Sequence, residues 1–200
     1  MPVTLLSGAR VLYAPTTATM PSDSDVDYGA NVTAWPTGWA DAGLTNKPTS
    51  INYEISEYKV MSEQSTVAVD SIVTEEAAPI EVGLITWSVE NLELAFPGSS
   101  TTTQAADATH KAYTITKFGG LAARDTYMWC IEAGKKDAAN VVQPVRVFIY
   151  QGQARLSGPM EFSKGKETTL ELTIEALLDT SQPAGQQIGE IHYITAAKTA

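Results

Sequence analysis

The hydrophobic pattern of the chain changes its period within the stretch IEVGLITWSVENLELAFPG, at residues 80–98. In its first half, Ile80, Val82 and Leu84 recur at every second position, and this two-residue period is typical of a β-strand with one buried face. We therefore predict a buried strand that leads directly into the segment that follows it.

That following segment has the spacing of a short amphipathic helix. Val89, Leu92 and Phe96 recur at intervals of three and four residues, which places them on one helix face. Ser88 can cap the N-terminus, and the proline and glycine after Phe96 end the helix. We predict one helix at about residues 89–96, with Val89, Leu92 and Phe96 forming its contact with a sheet.

Most of the remaining chain has the pattern of strands and loops. Alternation over 50–56 and a return over 67–73 indicate an antiparallel hairpin, with Ile51, Tyr53 and Ile55 on its apolar face. The predicted fold class is therefore mainly β: a β-sandwich or barrel flanked by one short α-helix, with an N-terminal arm and extended loops.

The most regular alternation lies late in the chain, in TTLELTIEAL at residues 168–177. It predicts a strand whose apolar positions face a core and whose polar positions face water. The inward positions are Leu170, Leu172, Ile174 and Ala176, and the outward ones are Thr169, Glu171, Thr173 and Glu175.

We predict a single domain over residues 1–200, because 200 residues suffice for one domain with a real core. Its four parts are an N-terminal strand with an arm or loop (1–50), the hairpin and strand–helix unit (51–98), a flexible loop of small polar residues (99–110) and the remaining strands (111–200).

The charge distribution argues against a protein that binds nucleic acid tightly. The formal net charge is −10, and residues 51–98 contain nine acidic residues and one base. Nucleic-acid binding requires instead a basic surface that neutralises phosphates. Solubility alone would also explain an acidic balance.

Candidate catalytic and metal-binding groups are sparse. Asp23, Asp25 and Asp27 begin like a calcium loop, but the positions that should hold glycine and glutamate hold Tyr28 and Ala34. This favours a solvated acidic loop. The two histidines, His110 and His192, are isolated in sequence, and there is no phosphate-binding or dinucleotide-binding motif. We expect no enzyme, no cofactor and no metal.

The single cysteine, Cys130, lies in an apolar strand pattern, so we expect a buried structural thiol and no internal disulfide. The first ten residues have no basic region and only a short apolar run, and no run approaches the length of a membrane span. We expect a soluble protein that is not exported through a signal peptide, with no membrane partner.

Four segments of the chain, taken in their order, resemble those of a known protein family. They are ARVLYAPTTATMP (9–21), WPTGWADAGLT (35–45), EVGLITWSVENLELAF (81–96) and FSKGKETTLELTIEALLD (162–179). Together with the hairpin between the second and third, this order resembles the major tail tube proteins of long-tailed bacteriophages, a family related to the tube protein of type VI secretion. None of the segments is a strict signature, so the resemblance depends on their order.

The resemblance implies a structural virion protein. Six copies would close into a ring, and stacked rings would form a tail tube that conducts DNA into the host without binding it specifically. Its partners would be further copies of itself and other tail proteins, namely the tape measure, tail completion and distal tail proteins. It would be located in the tail of the virion, after assembly in the host cytoplasm.

The alternating strands suggest which residues would face the lumen of such a tube. Each has an apolar face able to cover a core, so the opposite face must meet water. These polar faces include three glutamates and no base, which would repel DNA phosphates across a Debye length of about 8–10 Å. The candidate lumen-facing residues are Asn52, Glu54, Thr169, Glu171, Thr173 and Glu175.

Two other interpretations of the sequence remain. A receptor-binding or adhesin-like β-sandwich would expose Trp35, Trp39 and the acidic loop at 23–27 as its binding site. A hydrolase on a β-scaffold would bring carboxylates together in a cleft.

Overall fold

The computed structural model describes residues 8–23, 26–120, 123–165 and 167–195. Over these residues the protein is mainly antiparallel β-structure with one α-helix, which confirms the predicted fold class. The strands are β1 (Arg10–Pro15), β2 (Ala40–Asp41), β3 (Ser50–Ile51), β4 (Glu54–Val60), β5 (Asp70–Ala77), β6 (Ile80–Leu84), β7 (Ser100–Gln104), β8 (Tyr113–Lys117), β9 (Tyr127–Lys136), β10 (Val142–Leu156), β11 (Leu170–Leu177) and β12 (Gly189–Tyr193); the helix α1 spans Val89–Ala95, and a short 3-10 turn spans Val32–Ala34.

The large sheet has the strand order β2-β1-β9-β10-β11-β6-β3, with β12 also paired to β10. Its long central strand β10 pairs along one edge with β12 at Val145–Ile149 and then with β11 at Gln151–Leu156. In its pairing with β9, β10 has an irregularity between Ile149 and Gly152, where its partner on the other edge changes from β12 to β11. Such irregularities bend a strand. One strand therefore connects both halves of the sheet.

The large sheet is buried on both faces near its centre. One core combines residues of five strands with helix α1, and the other covers the opposite face of β1, β9 and β10 with the segment before β2. In this second core, Trp35 and Trp39 pack against Phe148 and Leu12. The two-sided burial explains the apolar pattern of β10 on both faces.

The alternation predicted for residues 168–177 is confirmed. Leu170, Leu172 and Ile174 are fully buried in the first core, and Ala176 packs against it. The intervening residues are half-buried on the other face, as the period of a strand requires.

The predicted helix is also confirmed. It begins after Ser88, whose hydroxyl accepts a hydrogen bond from the backbone N–H of Asn91 at 3.1 Å. It ends at Phe96, whose backbone N–H donates to the carbonyl of Leu92. The N-cap and the proline that follows therefore determine its length, as the sequence indicates.

The hairpin predicted between residues 50 and 73 exists, but its apolar face covers no core. Strands β4 and β5 form a separate two-stranded sheet that projects from the end of the β3–β6 pair. Ile51, Tyr53 and Ile55 are 38%, 60% and 48% exposed. The expectation that this strand buries its apolar side is wrong within one subunit, because no other element among the described residues packs on it.

The prediction of a loop over the whole of 99–110 is wrong, because its first half contains regular structure. Strand β7 occupies its first half and pairs with β8, from Ser100 opposite Lys117 to Gln104 opposite Tyr113. Threonine hydroxyls face each other across this hairpin. Small polar residues resemble a loop in sequence, but β-branched threonine also suits a strand that has a partner.

Candidate assembly surfaces

The most deeply buried residues of the helix are not the three that were expected to contact the sheet. Asn91, Leu94 and Ala95 are the buried residues of α1. Leu92 and Phe96 are half-buried and pack against the first core, and Val89, the third residue expected there, is half-buried. The helix is thus rotated so that Asn91 faces inward, at the three- and four-residue spacing from Leu94 and Ala95.

Asn91 is buried because its side chain binds backbone groups far away in sequence. Its amide nitrogen donates to the carbonyls of Ala42 at 2.8 Å and of Thr86 at 2.9 Å. A polar side chain can be buried when hydrogen bonds replace its contacts with water. Because asparagine is polar, the hydrophobic pattern of the sequence does not predict that Asn91 is buried.

Helix α1 also holds the hairpin β7–β8 against the domain. The ring of Phe96 stacks on that of Phe118, just after β8, with centroids 4.4 Å apart and planes at 23°. The remainder of the hairpin is largely exposed, including Tyr113 and Ile115. This aromatic pair is therefore an anchor for a projecting element.

The polar face of β11 brings together most of the candidate lumen-facing residues, and it also brings bases to them. Glu171 forms an ion pair with Lys47, and Glu175 binds Arg155 at 2.9 Å and Arg124 at 3.1 Å. The hydrogen bond from Arg155 is the main cause that lowers the pKa of Glu175. The expectation of an acidic face without bases is therefore wrong.

The other four candidate lumen-facing residues lie in two places, on or beside β11 and at or just before the start of β4. Thr169 accepts a hydrogen bond from the side chain of Asn46, and Thr173 lies between Arg155 on β10 and Glu81 on β6 in the register of the sheet. Asn52 and Glu54 lie where the strand leaves the large sheet, with the backbone N–H of Asn52 bonded to the carbonyl of Pro79.

A cluster of buried charges, which the sequence did not predict, occupies the second face of the large sheet. Arg146 and Glu132 are both completely buried, and the guanidinium of Arg146 also donates to the carbonyl of Val26 at 2.6 Å. Arg10 approaches the same glutamate at 3.6 Å. One signal was available, since Glu132 and Arg146 are each flanked on both sides by apolar residues within a strand.

The acidic loop is part of this cluster. Asp23 binds Arg146 at 3.0 Å and contacts Nδ1 of His192 at 2.5 Å. The positions of residues 24 and 25 fall outside the described residues. Within the described part of the chain, no group of three or more His, Cys, Asp or Glu side chains is arranged to hold a metal ion.

The two tryptophans proposed for an adhesin-like site are not available to a ligand. Trp35 and Trp39 are each 5% exposed, with ring centroids 5.2 Å apart. The indole N–H of Trp39 donates to the carbonyl of Thr19. They hold the segment before β2 onto the large sheet, which contradicts the adhesin-like interpretation.

Cys130 lies in the second core. Burial raises the pKa of its thiol well above its usual value, and the carboxylate of Glu132 adds to this effect. The nucleophilic thiolate is therefore disfavoured.

A large apolar surface remains open at the end of the large sheet. A groove of about 730 Å³ lies between the base of the β4–β5 hairpin and strands β10 and β12. Contiguous exposed apolar surface of this kind marks an interaction site. Its lining includes Ile51, Tyr53, Val73, Leu177, Leu178 and Ile191, all between 36% and 67% exposed.

Within the described residues, no helix has the length and apolar character needed to cross a membrane.

Comparison with known proteins gives one family. A family model described as phage tail tube protein matches residues 4–197, nearly the whole chain. No curated protein matches the chain.

Proposed function

The chain belongs to the family of phage tail tube proteins, and from that membership we propose that six copies close into a ring and that stacked rings form the tube through which DNA passes. The family match over residues 4–197 carries this proposal. A member of this family is a structural component of the virion tail that assembles with itself and with other tail proteins. The proposed partners beyond itself are the tape measure, completion and distal tail proteins, joined in the host cytoplasm.

The open apolar groove supports assembly with further copies. An isolated subunit would leave Leu178 and Ile191 at 58% and 67% exposure in the same groove. Covering such surface on association is favourable by about 25 cal/mol per Å² of apolar area. We propose that the neighbouring subunit in the ring covers this groove.

Two projecting hairpins and open sheet edges also support a closed assembly. Strand β12 pairs with β10 along one side, and β2 and β3 end the large sheet. Unpaired edges tend to pair with other chains, and a closed ring removes them. Closure would give each subunit the partners that its edges lack.

For the lumen we propose the polar face of β11 and its continuation toward β3 and β4. The face would present Asn52, Glu54, Thr169, Glu171, Thr173 and Glu175, together with the bases bound to Glu171 and Glu175. Paired charges attract DNA phosphates less than free bases do, since counterion release requires an available cation. Passage without binding would then depend on charge balance and hydration.

Electron microscopy of purified protein at rising concentration tests the assembly. Rings with six-fold symmetry, and tubes of stacked rings, are the expected result. Particles that remain single subunits at millimolar concentration, together with virions whose tails lack the protein, would refute the proposal.

Thiol labelling tests the lumen assignment. Thr173→Cys places a thiol on the proposed lumen face, Thr180→Cys places one in an exposed turn, and the native Cys130 is buried. In assembled tubes a small maleimide should label both variants, whereas a polymer-linked maleimide should label only the second. Equal labelling of both positions by the polymer would place Thr173 on the outer wall.

A further inference from the structure

Two hairpins project from the domain, and each has an exposed face with apolar side chains at its centre. On the β4–β5 hairpin, Tyr58 and Ile72 are direct cross-strand partners and are 63% and 53% exposed. On the β7–β8 hairpin, Tyr113 and Ile115 share one face of β8 and are 47% and 45% exposed. Each face resembles half of a sheet-on-sheet contact, in which side chains of two sheets interdigitate.

The β4–β5 hairpin is strongly acidic. Between residues 54 and 77 it has six carboxylates and one base, a net charge of −5. None of these carboxylates forms an ion pair with a residue that the structure describes. Asp70 lies two residues from Ile72 on the same face, and Glu75 is opposite Ser56 in the register.

The β7–β8 hairpin has the opposite sign. Its single acid, Asp107, is bound to His110 in the turn, at 3.0 Å between Oδ1 and Nδ1. Lys111 and Lys117 have no carboxylate partner in the described part of the chain, and Lys117 alternates with Tyr113 and Ile115 on one face. By contrast, all four arginines and Lys47 form ion pairs with carboxylates; the arginines are Arg10, Arg124, Arg146 and Arg155.

We propose that the β4–β5 hairpin of one copy packs on the β7–β8 hairpin of the next copy, with Tyr58 and Ile72 against Tyr113 and Ile115. Asp70 and Glu75 then approach Lys111 and Lys117. The inference rests on the proposed tube function and identifies the surfaces that meet in it.

Charge determines the symmetry of this contact. If two acidic hairpins met each other, as in a two-fold dimer, like charges would be juxtaposed and the contact would be disfavoured. The contact between different hairpins is heterologous, and a heterologous contact repeats around a ring or along a filament. The two unlike hairpins therefore favour rings or filaments over closed dimers.

Charge reversal on each hairpin tests the pairing. The first variant is Asp70→Lys with Glu75→Lys, and the second is Lys111→Glu with Lys117→Glu. Each alone should raise the protein concentration needed for assembly by at least about tenfold, since each sets like charges against each other. A mixture of the two variants should assemble near the wild-type concentration, because every contact between unlike variants joins opposite charges.

Matched charge changes outside the hairpins provide the control. Lys164→Glu and Glu167→Lys reverse exposed charges in another turn and should leave assembly unchanged. Circular dichroism of each variant checks that the domain is folded. If folded reversal variants assemble like the controls while wild type forms tubes, the hairpin pairing is wrong and the tube function stands. If wild type forms no rings or tubes, the proposed function itself fails.

The mixing step separates this pairing from a general effect of charge. A mixture that assembles no better than either variant alone would overturn the proposal, because a change in overall charge predicts no rescue. Assembly of wild type should also weaken as salt rises, since exposed pairs are screened beyond about 8–10 Å.

Discussion

Arg146 and Glu132 lie directly opposite each other on β10 and β9, completely buried, with Nη2 and Oε1 3.0 Å apart. Their pairing joins the sheet to the segment before β2, because Arg146 also binds the carbonyl of Val26 and the carboxylate of Asp23. The guanidinium lies over the ring of Trp35 at 5.1 Å. One side chain thus organises the second core.

Removal of one member of this pair should strongly destabilise the folded protein. Glu132→Leu leaves a buried guanidinium with fewer partners, and we expect a loss of about 3–5 kcal/mol in the free energy of unfolding. Glu132→Leu combined with Arg146→Met should restore most of that loss, because two apolar groups need no partners. Urea unfolding of the four proteins in this cycle measures the coupling. If both single variants cost under about 1 kcal/mol, the pair is not buried as described.

Truncations along helix α1 should follow its observed orientation. Leu94→Ala removes a 4% exposed side chain from the first core and should cost about 2–5 kcal/mol. Phe96→Ala should cost less than the roughly 3–5 kcal/mol typical of a fully buried phenylalanine, because Phe96 is only half-buried. Thermal unfolding compares the two. A larger loss for Phe96→Ala than for Leu94→Ala would contradict the orientation.

Asn91 should contribute through hydrogen bonds that no apolar residue can replace. Asn91→Leu leaves the carbonyls of Ala42 and Thr86 without this donor, at a cost of about 1–3 kcal/mol for each buried group left unsatisfied. The exposed neighbour Glu93 offers a matched control, because Glu93→Leu breaks no hydrogen bond seen in the described residues. Chemical unfolding should therefore separate the two variants. Equal stabilities would indicate that the two hydrogen bonds contribute little.

The stability of the domain should fall at high pH in a way that depends on Tyr13. Burial raises the pKa of the Tyr13 phenol from 10.0 to about 12. A raised folded pKa means that the stabilisation is complete below pH 10 and is lost as pH rises through about 12. Tyr13→Phe should remove that part of the decline. Unfolding measured across this range would refute the argument if wild type and variant decline in parallel.

Assembly should protect the turn of the β7–β8 hairpin. In the free subunit, residues 105–112 are exposed, so a protease should cleave there. In the tube the hairpin would be covered, and cleavage should slow by at least about tenfold. Mass spectrometry of the fragments locates the cut. Equal rates in both states would mean that this hairpin remains free in the tube.

The sequence determined those features that depend on local periodicity. Alternation placed the buried residues of β11 correctly, and the Ser88 cap with the Pro97 stop placed α1 correctly, because strand and helix periods are visible within about ten residues. The order of four segments along the chain also indicated the family. Each of these signals comes from residues that are neighbours in sequence or from their order.

Tertiary structure alone decided which polar groups are buried and which apolar ones are exposed. Asn91 turns inward because a carbonyl 49 residues away accepts its hydrogen bond, and Arg146 is buried because Asp23, 123 residues away, meets it. Tyr58 and Ile72 stay exposed because no element that the structure describes packs on them. A residue's polarity sets the cost of burying it, but only the partners that the fold brings to it decide whether that cost is offset.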